Sequence, residues 1–110
     1  GTVLVFGGDH EVTESDTHDS PRVAGVVSTD PAHLMNSTCE GEHVVAVALR
    51  GRIPCKVVGP VRKGDVLITS TTLGHAEASS QPHFVSASCI VGKAISSKDT
   101  DGPGIVEIMV

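Results

Sequence analysis

The chain has 110 residues, a net charge of −5 and 39% apolar residues, which is the size of one domain and too acidic overall for a duplex-DNA footprint. With no Trp or Tyr and only two Phe, it lacks the exposed rings that single-stranded nucleic acid or a stacking sugar site needs. No apolar run approaches the ~18 residues of a membrane-spanning helix and no signal peptide is visible, so membrane insertion is not expected.

The apolar residues are 17 Val and 6 Ile against 5 Leu and 2 Met. Branching at Cβ restricts χ1, which disfavours helix and suits a pleated surface. In chain order, Thr2 to Phe6 reads as a short strand stopped by Gly7-Gly8. Asp9 to Arg22 is acidic and rich in turn formers, and reads as a loop with an extended stretch near Val12. Val23 to Thr29 is the next strand, in which Gly25 suggests a bulge or a close backbone approach. Asp30 to Asn36 is a candidate helical turn, with Asp30 as cap and Pro31 at the first helical position.

His43 to Leu49 is apolar on both alternating sets, as in a strand covered on both faces. Ile53 to Val58 follows, with Ile53, Cys55 and Val57 on one face and Pro54 requiring an edge or bulge. Gly59-Pro60 and Lys63-Gly64-Asp65 bracket a corner before the short strand Val66 to Thr69. Ser70 to Gln81 reads as polar loop, Phe84-Val85 and Cys89 to Ile95 as strand, Asp99 to Gly104 as turn, and Ile105 to Val110 as the closing strand. Turn signals every eight to twelve residues fit an all-β sandwich or barrel of about seven to nine short strands with one short helical turn. Residues 1–110 are expected to form one β-domain, the C-terminal piece of a longer chain, with 1–22 a strand plus an acidic loop of unassigned role.

Asp9, His10, Glu11, Asp16, His18 and Asp19 place metal-ligand side chains in one loop. Their spacing matches no rigid scaffold, and a solvated loop explains them equally. His33, His43, His75 and His83 are spread along the chain without ligand spacing. Cys39, Cys55 and Cys89 form neither a zinc pattern nor a closed disulfide set, and read as reduced, buried small apolar residues. No Gly-x-Ser-x-Gly elbow or phosphate loop is present, so no catalytic residue and no cofactor is assigned. The acidic first twenty residues contrast with Arg50, Arg52, Lys56, Arg62 and Lys63. They are read as two solvated faces or as complementary contacts between neighbouring copies. On the ground that adhesive surfaces are built from loops, Asp16, His18, Asp19, Thr72, His75, Gln81 and His83 are the candidate binding surface.

Several segments are familiar together in order and separation. They are Val23-Ala-Gly-Val-Val-Ser-Thr-Asp-Pro-Ala-His-Leu-Met-Asn36, Val47-Ala-Leu-Arg-Gly-Arg-Ile-Pro-Cys-Lys-Val57, Gly59-Pro-Val-Arg-Lys-Gly-Asp-Val-Leu-Ile-Thr-Ser70, Gly74-His-Ala76, Ile90-Val-Gly-Lys-Ala94 and Gly104-Ile-Val-Glu-Ile-Met-Val110. The set resembles a β-domain found near the C-terminal ends of phage fibre and other virion structural proteins, and is similar to the phage autoproteolytic (peptidase G2) type. The resemblance implies a location on the virion surface or fibre, a homotrimer, and a host cell-surface receptor or other virion proteins as partners. It also implies an alternative, self-cleavage releasing a chaperone segment. For that chemistry Asn36-Ser37 and the Ser86-Ala-Ser-Cys89 run are the places to look. A metal-binding β-module is the remaining alternative.

Overall fold

The computed structural model describes residues 1–8, 11–28, 34–35, 47–48 and 51–110, and all structural statements concern these. The elements are β1 (Val3–Phe6), β2 (Val12–Glu14), β3 (Val23–Val26), β4 (Leu34–Met35), β5 (Val47–Ala48), β6 (Arg52–Val58), β7 (Val66–Thr69), β8 (Ala76–Ala78), β9 (Gly92–Ala94) and β10 (Pro103–Met109). Eight of them have three or more residues, and among the described residues the helical content is two single 3₁₀ turns, Pro82–Phe84 and Ala87–Cys89. The protein is all-β.

Five strands close a barrel in the order β10-β6-β8-β7-β9. Its backbone is the antiparallel β6/β10 ribbon, paired from Arg52↔Met109 to Val58↔Pro103. Period-two alternation builds the wall. Ile53, Cys55 and Val57 of β6, with Val106 and Ile108 of β10, point inward and are buried. Pro54 sits opposite Glu107. The amide two residues on, at Lys56, donates to the Gly1 carbonyl, so Pro54's missing N–H faces the same side, away from β10, and removes no ladder bond. The seam between β9 and β10 depends on Gly92, where a Cβ would lie 2.7 Å from the Met109 carbonyl oxygen.

The second sheet has the order β2-β1-β3. Between Leu4↔Gly25 and Val5↔Val23 the register slips, leaving Ala24 as the extra residue of a bulge. This is the irregularity that Gly25 suggests in the sequence. Val3 and Val26 join Ile53, Cys55, Val57, Leu67, Val106 and Ile108 in one apolar cluster, so the small sheet packs onto the barrel. Beyond the barrel, the Lys98 ammonium donates to the carbonyls of Gly59, Thr100 and Gly102, gathering two turns on one side chain.

Several expectations need correcting. Leu34–Met35, expected within a helical turn, form β4, paired antiparallel with Val47–Ala48; the rest of Asp30–Asn36 lies outside the described residues, as does most of His43–Leu49. Ser70 to Gln81 is not all loop. Ala76–Ala78 form β8, because they pair with Leu67–Thr69 and, in parallel, with Val57. Phe84 lies in a 3₁₀ turn opened by Pro82 rather than in a strand. The strand expected over Cys89–Ile95 is confined to Gly92–Ala94, and β10 already begins at Pro103.

Candidate functional site

The acidic loop and the Ser70–Gln81 segment, distant in sequence, meet at one end of the barrel. Thr69 makes the junction. It continues the inward side of β7 set by Leu67, and its hydroxyl donates to the Thr17 carbonyl at 2.6 Å while accepting the Ser20 amide at 2.7 Å. The Asp19 amide donates to the Thr69 carbonyl at 3.0 Å. Asp19 itself adopts φ 52°, a left-handed conformation that Asp tolerates better than most residues. The loop is thus laid across the end of the barrel by its own backbone.

A second tie lies beside the first. The Gly74 amide donates to the Ser15 carbonyl at 2.7 Å, and the Val3 amide donates to the Gly74 carbonyl at 2.8 Å. Gly74 has φ 71°, and a Cβ there would lie 2.8 Å from Thr2 Cγ2. The turn and the close approach therefore both call for glycine. The preceding turn is held by the Ser70 hydroxyl, which donates to the His75 carbonyl at 2.7 Å. Ser15 is fully buried, and its hydroxyl has no hydrogen-bond partner among the described residues.

Among the predicted site residues, His18 pairs through Nδ1 with Glu77 Oε1, linking the acidic loop to β8. Asp16 accepts the Thr17 hydroxyl at 3.0 Å, and His75 Nδ1 contacts the Leu73 carbonyl at 2.8 Å. Asp16, His18, Asp19, Thr72 and His75 therefore belong to one end of the barrel. Gln81 and His83 lie on the next segment, which touches the acidic loop where Cys89 Sγ approaches the Asp19 carbonyl at 3.8 Å.

The described metal candidates, Glu11, Asp16, His18 and Asp19, do not form a ligand cluster. Glu11 sits at the tip of the β1/β2 hairpin, where its carbonyl accepts the Gly7 amide, and strand β2 separates it from Asp16. Among the described residues no group of three or more His, Cys, Asp or Glu side chains is placed to hold a metal ion; Asp9 and His10 lie outside the described residues.

Cys55 and Cys89 are free and buried. Burial pushes the Cys55 thiol up to about 12. It also raises Cys89, with the neighbouring Asp19 charge acting in the same direction. Neither thiol is a thiolate nucleophile near neutral pH. The Ser86 and Ser88 hydroxyls contact each other at 3.1 Å. Asn36, Ser37 and Cys39 lie outside the described residues.

Thr69, Gly74, Ser15 and Glu77 organise this end, and the sequence reading did not single them out as site residues. The available signal was weak. Thr69 ends a run of apolar strand residues, and Glu77 is flanked by two alanines in a stretch that reads as loop. The chain's aromatic residues are also placed outward, with Phe6 52% and Phe84 85% exposed. Among the described residues no helix is long and apolar enough to cross a membrane. Compared with protein-family models, curated proteins and solved structures, the chain has no significant match.

Proposed function

We propose that the chain is a structural module of a phage particle, a fibre tip or knob that trimerises and presents loops at the virion surface for host attachment. One observation carries this reading. A closed barrel holds two polar loops together at one end through Thr69 and Gly74, as a scaffold that displays a contact surface does. The order of segments from Val23 to Val110 supports it by resemblance to virion structural domains. On this reading the end of the barrel bearing Asp16, His18, Asp19, Thr72 and His75 faces the partner, with Gln81 and His83 beside it.

Mass spectrometry of purified particles from the phage that encodes the chain, with antibody labelling in electron micrographs, tests the proposal. Peptides of the chain in stoichiometric amount and label at a fibre or surface projection are the expected result. Purified particles free of the chain would overturn it.

A further inference from the structure

We infer that copies of the chain join by a heterologous contact in which the acidic end of one barrel meets the Arg62-Lys63 turn of the next. The inference rests on the oligomeric reading above and moves Asp16 and Asp19 from the host-facing surface to the contact between copies, which leaves Thr72, His75, Gln81 and His83 to face the host. Strand β7 is the ruler. Before its first residue lies the turn carrying Arg62 and Lys63, both exposed. That turn is fixed by Lys63 N–H donating to Ser97 Oγ at 2.9 Å and Gly64 N–H donating to the Ala94 carbonyl at 2.8 Å. At its last residue, Thr69 receives the acidic loop, with exposed Glu14, Asp16 and Asp19.

The two ends do not neutralise each other within one chain. Three residue steps along β7 separate them by about 10 Å, more than the ~8 Å screening length at physiological salt. Among the described residues, Arg62, Lys63, Glu14, Asp16 and Asp19 have no ion-pair partner, the pairs being His18 with Glu77 and Arg52 with Glu107. Each end also holds local counter-charges. At the basic end, Asp65 accepts the Arg62 amide at 2.9 Å, while the Lys98 ammonium is occupied by backbone carbonyls. Lys56, which donates to Thr2 Oγ1 at 2.9 Å, and exposed Arg22, whose amide donates to Ser20 Oγ at 3.2 Å, are described cations on the acidic side.

A second copy supplies both missing partners at once. A contact between two different patches closes into a ring when the rotation allows, and a cyclic trimer is built this way. Complementary charge at such a contact fixes register and favours encounter.

The test is light scattering after size-exclusion chromatography at 50 and 500 mM NaCl. It compares the natural chain, Arg62→Glu/Lys63→Glu, Glu14→Lys/Asp16→Lys, and the chain carrying all four substitutions. The expected result is a dissociation constant raised about tenfold or more by high salt and by either double reversal, with recovery when both ends are reversed together. The salt series on the natural chain carries the test if a variant loses its β circular-dichroism signal. Association unchanged by salt and by reversal would overturn this contact while leaving the oligomeric reading intact. Weakened double variants without recovery in the fourfold variant would overturn the pairing of these two ends. A natural chain that is monomeric at every salt would remove both readings.

Discussion

The acidic loop and the Gln81–Ser88 segment are both exposed along most of their length, yet they are held in different ways. The acidic loop sends its backbone bonds outward to the barrel, through Thr69 O, Thr69 Oγ1 and the Gly74 amide. The Gln81–Ser88 segment bonds mainly to itself, with Phe84 N–H to Gln81 O and Ser86 Oγ to Ser88 Oγ, and regains the barrel where Val91 N–H meets Leu67 O. Exposure alone does not distinguish a fixed surface from a loosely tied one. The destination of the backbone hydrogen bonds does, because a segment bonded only locally opens without breaking the rest.

The sharpest way to break this comparison is Thr69→Val. It keeps the shape but leaves the Ser20 amide and the Thr17 carbonyl without their buried partner, and is expected to destabilise the protein by about 2–3 kcal/mol in urea unfolding. Gly74→Ala acts on the second tie. At φ 71° and with Thr2 Cγ2 at 2.8 Å, the added methyl should cost roughly 1–2 kcal/mol, read as a lower urea midpoint.

The barrel wall gives a contrast of similar size. Cys55 ionises near 9.0 when unfolded and at about 12 when folded. Its contribution is therefore fully present below pH 9 and is lost as pH rises toward 12. The loss is at most about 1.4 kcal/mol per pH unit in that window. Cys55→Ala should flatten this part of the stability profile, measured as urea midpoints from pH 8 to 11. The smallest effect is expected in the loosely tied segment. Phe84 is 85% exposed, so Phe84→Ser should change stability by less than about 0.5 kcal/mol. Limited proteolysis should cut within Gln81–Ser88 before the acidic loop.

Much of the barrel was legible because its strands obey a simple rule. The alternation of Ile53, Cys55 and Val57 names a buried face, and the Lys63-Gly64-Asp65 corner is a turn by residue type. Strand β8 was hidden because Ala76-Glu77-Ala78 has little strand propensity of its own, and its partners β6 and β7 supply the pairing. Pro82 disfavours a strand because it lacks an N–H, but nothing in Phe84-Val85 itself distinguishes a strand from an exposed turn. The acidic loop was readable as a candidate surface from its residues. Its fixation was not, since the bonds from Thr69 to Thr17 and Ser20 span 52 and 49 residues.

The solution mass of the natural chain at micromolar concentration, by light scattering after size-exclusion chromatography with denatured intact mass on the same sample, tests the central claim most directly. Uncleaved chains with a particle mass three times that of the 11.3 kDa chain are the predicted result. A particle of single-chain mass would contradict it.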